Sequence, residues 1–419
     1  MSIAVVGGGA AGLTSAWLLD GHHDVTLFER DSRLGGHADT RTVEVDGQHI
    51  QVDAGFQFFS PGPAYATFNR LLDALGVARE SYPATITVAD TTSGRSLAMP
   101  PIRGGRIAWP SLAPASLGTL LRFRRFLTGI PPFLARRDTS ITVAEYLEQC
   151  RLPKSFADDV LVPLLLSFWC VERDEFLGFA AYNALYYLGV NADGGLRSPV
   201  QSEIPGGLRV YVDALVASLE RTRVRTDAAV TRLSRAGEGF LVETSDGAHE
   251  EFDRVVLACN ARLAGELIDG VPGLEHMREH LGRFRTFETR IAIHGDRRLM
   301  PRDEASWSVV NARWDGTHSS LSAWNPRRDE PVFKSWITHD DELPEPLFAL
   351  ATYEHGCITP EYFDAQATLK GLNGQHGLWL AGLYMHDVDS HESAIRSAVT
   401  VAYALAPDSP RLRALVHPR

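Results

Sequence analysis

Gly7, Gly9 and Gly12 stand at the spacing G-x-G-x-x-G, with the small residues Ala10 and Ala11 between the second and third. They follow the apolar run Ile3-Ala4-Val5-Val6 and lead into a helical pattern through Leu13, Trp17, Leu18 and Leu19. Glycine at the first position lets the chain turn tightly. At the second it admits a pyrophosphate with no Cβ in the way, and at the third it lets helix pack on strand. The helix then offers unpaired N–H groups and the positive end of its dipole to phosphate. A second apolar run, Val25-Thr26-Leu27-Phe28, ends in Glu29, where a carboxylate accepts hydrogen bonds from the hydroxyls of an adenosine ribose. The glycines alone would suit an ordinary turn. Strand, turn, helix, second strand and terminal acid in register predict a dinucleotide-binding unit. Glu29 prefers a free 2′-hydroxyl, which argues against NADP and leaves NAD and FAD open.

The next stretch, Arg30-Asp31-Ser32-Arg33-Leu34-Gly35-Gly36-His37, adds a glycine pair and a basic residue after the acid. Here the chain resembles the flavin-dependent amine oxidase and phytoene desaturase superfamily, whose members bind FAD. His391-Glu392, Tyr353-Glu354-His355 and Pro360 make it most similar to a bacterial NAD/FAD-binding flavoprotein branch of that superfamily. The resemblance implies that Arg30, Gly35, Gly36 and His37 meet the pyrophosphate and ribityl chain. It implies that Gly55, Phe56 and Gln57 pass beside the isoalloxazine, where the residues alone also read as a glycine-broken core strand. It places Val230 at the adenine through its backbone. It also implies that Gly382, closing Leu378-Trp379-Leu380-Ala381, and a last helix bearing His391, Glu392 and Ala394 address the pyrimidine edge of the flavin. Leu383 departs from the pattern, because many relatives carry Asp or Glu directly after that glycine.

A flavin takes hydride at N5, and the protein selects which C–H or N–H bond lies over it. A base is needed only when a proton leaves a neighbouring carbon. Tyr384 and His386, just beyond Gly382, are candidate catalytic groups, with packing or a bond to the ribityl chain as their other reading. Lys334 is a third candidate, and its other reading is an exposed lysine. Asp387 and His391 lie in the same expected neighbourhood. The implied function is an FAD-dependent oxidoreductase, an oxidase or desaturase, acting on a lipophilic or amine-containing small metabolite. The FAD is expected to be non-covalent, since no cysteine or histidine sits in a flavin-attachment motif. A redox-neutral double-bond isomerase and a non-catalytic flavoprotein share these motifs and stay open.

Holding these groups together calls for an α/β architecture. The expected arrangement is a Rossmann-type FAD-binding domain built from discontinuous segments, residues 1–80, 200–262 and 356–419. An α+β substrate domain with a mixed sheet would use 81–199 and 263–355, with a helical subdomain over 110–190. Thr139, Ser140 and Thr142 are possible caps before Val143-Ala144-Glu145-Tyr146-Leu147. Thr289–His294 and Ala305–Asn311 read as strands of the second sheet.

A chain of 419 residues with 44% apolar composition accommodates two globular domains. Cys150, Cys170, Cys259 and Cys357 are scattered without metal-ligand spacing, so no metal is expected; with no secretory signal before the first strand, a cytoplasmic location follows. The apolar stretch Val160–Val171 contains Pro163 and is shorter than the roughly 20 residues that span a bilayer, so it reads as a core helix. A net charge of −11 argues against general nucleic-acid binding. Yet Arg95, Arg103, Arg106, Arg122, Arg124, Arg125, Arg136 and Arg137 occur with no acid among them. Arg122–Arg137 is either a contact for an anionic carrier or membrane surface, or a solvated face balanced by acids elsewhere.

Overall fold

Short β-branched runs without period-two alternation suit strands covered on both faces, and here they pair in parallel. In the computed structural model, which describes residues 1–103, 105–190, 199–328 and 330–416, Ser2–Val6 pairs with Asp24–Phe28 on one side and Arg254–Leu257 on the other. Arg223–Arg225 and Leu378–Leu380 complete a five-stranded parallel sheet at its two edges. The helices Ala10–Leu19 and His391–Leu405 cover it, and Ile3, Val5, Leu13, Leu27, Val256, Ile395 and Ala398 share one buried core. Ser390 starts the last helix by accepting from the Ser393 amide at 3.0 Å.

The second sheet has seven strands in the spatial order Leu347–Gly356, Thr286–His294, Phe333–Trp336, Ser319–Trp324, Val310–Trp314, Ile86–Asp90 and Ser96–Met99. Every neighbouring pair is antiparallel except Val310–Trp314 with Ile86–Asp90, so the sheet is mixed. The fold is therefore α/β with a parallel and a mixed sheet, as the sequence implies. Ala305–Asn311 is not one strand. Asp303 accepts from the Ala305 amide at 3.0 Å and closes a single 3₁₀ turn over Glu304–Ser306, so the strand begins only at Val310. A local side-chain bond has won over extended backbone there.

Helices Pro114–Ala135, Val143–Cys150, Val162–Leu166 and Ala181–Val190 form a layer whose inward faces include Phe123, Phe126, Ile130, Phe133, Leu164, Leu165 and Leu185. Of the possible caps, Thr142 is used, in a reciprocal box with Glu145. Val160–Val171 is helical only to Leu166, after a π-turn over Ala157–Leu161. Among the described residues no helix is long and apolar enough to cross a membrane.

Candidate functional site

The first part of the site is made of backbone. Gly7 has φ +109°, and a Cβ there would lie 2.7 Å from the Ala258 carbonyl oxygen. A Cβ on Gly12 would lie 1.8 Å from the Gly7 oxygen, so helix and turn touch without room for a methyl group. Gly9 differs: its nearest neighbour on that side is the Gly36 Cα at 4.0 Å. Protein packing would accept a side chain at Gly9, so the glycine leaves open a space bounded by Gly9, Gly36 and the start of helix Ala10–Leu19. That helix has no side-chain cap, which leaves its first amides available to a phosphate.

The facing loop is held by Arg33, whose guanidinium donates to the carbonyls of Leu34, Gly36 and Ala38 at 3.3, 2.9 and 3.2 Å. The Gly35 amide donates to the Gly8 oxygen at 2.8 Å and joins the two loops. Sequence reasoning passed over Arg33 because its role is to three carbonyls rather than to a motif partner. Glu29 accepts from the Gly8 amide at 2.6 Å through one carboxylate oxygen and from the Asp31 amide at 3.0 Å through the other. This fixes the carboxylate at the strand end with further lone pairs for ribose hydroxyls. Val230 stands next to it, since the Ala228 amide donates to the Glu29 oxygen at 2.9 Å and a β-bulge follows Val230. Arg30 is exposed and sits 3.7 Å from Asp31.

The second part is made of side chains withdrawn from water. Gly55 touches His37 so closely that a Cβ would lie 2.1 Å from the His37 oxygen, and the Phe56 amide donates to that oxygen at 2.9 Å. Lys334 reaches this segment from the centre of the mixed sheet and donates through Nζ to the Gly55 carbonyl. Only 2% of it is exposed, so the exposed-lysine reading is corrected. Its strand lies between Thr286–His294 and Ser319–Trp324, and period-two geometry puts Trp336 on the same face, 4.9 Å from Nζ. Burial lowers its pKa to about 8, against the pull of Asp53, Glu203 and Asp39 toward the charged form.

His355 feels the charge of Lys334, and two further imidazoles follow from it. The His37 and His355 rings are 5.8 Å apart, and Tyr353 lies 5.0 Å from His37. His391 stacks on Phe56 at 4.5 Å and 5°, with Nε2 3.0 Å from the Tyr211 hydroxyl. Burial pushes His355 and His391 down to about 3, assisted in both by His37, and also depresses His37. All three are neutral at pH 7. The same desolvation raises Asp389, whose amide donates to Asn183 at 2.9 Å, to about 6. Tyr65 and Tyr187 face one another at 5.4 Å. His37 and Asp389 keep accessible surface although many protein atoms surround them.

Other sequence candidates lie elsewhere. Tyr384 packs its ring 5.4 Å from Phe284 in the apolar core, and its hydroxyl has no partner among the described residues. His386 is pushed to about 4 by burial and by Arg396, with Lys370 and Arg137 close by. Neither belongs to the group around Lys334. Glu392 accepts from the Thr67 and Phe68 amides at 2.9 and 2.8 Å, which caps helix Ala66–Leu75 and commits its carboxylate to the fold. Gln57 donates to Glu203 at 2.7 Å. Gly382 donates its amide to Ser397 at 2.8 Å, and Ala394 is the fourth residue of the last helix, which Ser390 caps. Asp389, Tyr65 and Tyr187 were not singled out from sequence; none sits in a motif, and the fold alone brings them together.

A family model described as flavin containing amine oxidoreductase matches residues 10–284. The chain is 25% identical over 307 residues to the carotenoid phi-ring synthase of Streptomyces griseus, covering 68% of this chain and 57% of that protein. It thus spans little more than half of that relative's length. Among solved structures, cyclohexylamine oxidase from Brevibacterium oxydans superposes with a TM-score of 0.67 at 14% identity, over 97% of this chain and 99% of that one. A CLA-producing fatty acid isomerase from P. acnes gives 0.67 at 16%, over 95% and 97%. These structural likenesses speak for the fold.

Proposed function

The chain belongs to the flavin containing amine oxidoreductase family, and from that premise we propose that it holds FAD non-covalently and works as an oxidase or desaturase on a lipophilic or amine-containing small metabolite. The observation that carries this reading is Lys334, buried at the Gly55 turn between the two sheets with Nζ on the Gly55 carbonyl. The residues fit the cofactor: open space at Gly9, uncapped amides at Ala10 and Ala11, and a fixed carboxylate at Glu29 suit an adenosine diphosphate moiety. In this reading residues 1–80, 200–262 and 356–419 bind FAD, and 81–199 with 263–355 enclose the substrate.

A bound flavin supplies a two-electron acceptor that takes hydride. The protein's own groups do the rest. Lys334, with its pKa lowered to about 8 by burial, exchanges a proton at Nζ near neutral pH. Asp389, raised to about 6, is mostly ionised at pH 7 and basic enough to accept a proton from a substrate carbon. His37, His355 and His391 are neutral and add no charge, and the contacting Tyr65–Tyr187 pair offers one aromatic wall to an apolar or cationic substrate. Delivery of a lipophilic substrate from an anionic surface suits helix Pro114–Ala135, where Leu121 is exposed beside Arg122, Arg124 and Arg125.

The test is anaerobic mixing of the FAD-loaded protein with panels of amines and isoprenoid lipids. Bleaching of the flavin, with a product two hydrogens lighter, is the expected result. A product of unchanged mass would replace oxidation by isomerisation. A flavin that no substrate reduces would leave a binding protein.

A further inference from the structure

Away from the flavin surfaces, three segments distant in sequence meet at one end of the central strands of the mixed sheet. The turn between Val310–Trp314 and Ser319–Trp324 carries His318, the chain just after Phe333–Trp336 carries His339, and the loop leaving the helical layer before Arg173–Leu177 carries Glu172. The two imidazoles stack at 4.2 Å and 7°. His318 Nε2 is 3.3 Å from Glu172 Oε1, and His339 Nδ1 is 3.8 Å from the same oxygen. One ligand atom from each of the three residues lies within 4.8 Å of the other two.

The surroundings orient these atoms. His339 Nε2 is 2.9 Å from the Cys170 carbonyl, which can only accept, so Nε2 carries the proton and Nδ1 turns a lone pair toward Glu172. His318 Nδ1 lies 3.9 Å from Asp315, whose carboxylate is fixed by the Thr317 and His318 amides at 2.8 and 2.7 Å. His339 thus shows the pattern of metal-binding histidines, whose second ring nitrogen is held by a carbonyl or carboxylate, while Asp315 stands at ion-pair distance from His318. Arg313 is neutralised by Asp340 at 2.6 Å, so Glu172 and Asp315 leave the spot negative.

We propose that Glu172, His318 and His339 form a site for one divalent transition-metal ion of the zinc class, clipping the loop of the helical layer to the mixed sheet. Two imidazoles and one carboxylate are a borderline-soft donor set with a coordination position left for water. An imidazole binds a metal in its own ring plane, so the His318 ring turns out of the stack on binding while His339 stays on the Cys170 carbonyl; the ion takes the Nε2 lone pair of His318 and its proton moves to Nδ1. The clip fastens the loop after Leu166, whose Trp169 packs on Phe176 and Phe179. It does not depend on the oxidoreductase reading.

The experiment is calorimetric titration of Zn²⁺ into metal-free, FAD-loaded full-length protein. One ion per chain should bind with a Kd below about 10 µM and raise the Tm by a few degrees. His318→Ala and His339→Ala should each weaken binding at least about 30-fold, and Glu172→Gln about 10-fold, with flavin content unchanged. Glu172→Gln, at an exposed position, keeps the test valid should a histidine variant misfold. His276→Ala is the control, because His276, Glu279 and His280 also cluster, on one turn of helix Glu275–Leu281, where the His280 ring faces the His276 carbonyl at 3.0 Å. Binding weaker than 10 µM, unchanged affinity in the His318, His339 and Glu172 variants, or loss of binding in His276→Ala overturns the proposal.

Discussion

Around Gly9 the molecule works through backbone, with glycines that keep side chains out of the turn and one carboxylate tied to two amides. Around Lys334 and at the start of the last helix it works through side chains drawn out of water, where burial rather than a charged partner sets the ionisation of a lysine, three histidines and an aspartate. In the first region Gly7 and Gly12 leave the fold no room for an added carbon, while Gly9 leaves open space beside the helix start. In the second, desolvation shifts the ionisation of buried side chains.

The sharpest way to break this contrast lies within the backbone region itself. Gly12→Ala drives a methyl group to 1.8 Å from the Gly7 oxygen and should cost more than about 4 kcal/mol, losing fold and flavin together. Gly9→Val meets no protein atom nearer than the Gly36 Cα at 4.0 Å from its Cβ, so the apoprotein should melt near the wild-type temperature while FAD binding disappears. Thermal melts with flavin absorbance check both. Equal destabilisation by the two substitutions would show that Gly9 serves packing rather than a ligand.

Lys334→Met should retain flavin yet lower turnover by about 10²- to 10⁴-fold, and the rise of activity through about pH 8 should vanish with it. The sign for stability follows from the lowered pKa. Below pH 8 the amine is protonated both folded and unfolded, and the burial penalty is fully felt. Between about 8 and 10.5 the unfolded chain binds the extra proton, so this group makes stability rise with pH. Methionine should therefore stabilise the protein at pH 7 and flatten that rise. Denaturant melts at pH 7 and 9.5 decide it, and a lysine-independent pH profile would return Lys334 to a packing role.

A milder change in the cradle is Glu29→Ala. It removes the acceptor of the Gly8 and Asp31 amides and should weaken FAD by about 1.5–3 kcal/mol, read as a shift in the dissociation constant. An unchanged constant would place the ribose elsewhere.

The two regions also differ in how far they were legible in the sequence. Gly7, Gly9, Gly12 and Glu29 lie within 23 residues because a βαβ unit is local, so their spacing carries its geometry. Lys334 was open to reading as exposed, since only the register of Phe333–Trp336 within seven strands shows that it faces inward. Asp389 and Tyr187 owe their environment to burial by elements from separate parts of the chain, and no local pattern encodes that. Glu392 followed a family resemblance, while its carboxylate is taken by the amides of Thr67 and Phe68, more than 300 residues away. The Glu172–His318–His339 cluster has no short spacing at all, which is why cysteine and histidine counting passes over it.

The smallest effect on the chemistry is expected from helix Pro114–Ala135, which belongs to neither region. Phe123, Phe126, Ile130 and Phe133 face the core, while Arg122, Arg124 and Arg125 are exposed together with Leu121, at 67%, and the nearby Trp109, at 70%. Arg137 is paired with Asp387 at 2.9 Å, so the basic field is only partly balanced within the chain. Apolar side chains flanked by arginine suit an anionic lipid surface, each arginine adding at most about 1 kcal/mol. Arg124→Gln with Arg125→Gln should weaken binding to phosphatidylserine vesicles, and wild-type binding should fall with salt as the Debye length shortens from about 10 Å. Flavin content and turnover of a water-soluble substrate should not move, because both the cradle and the lysine pocket lie outside this helix. Vesicle sedimentation across a salt series checks it: wild-type protein that ignores vesicles at low salt would make these arginines a solvated face and leave substrate entry to another surface.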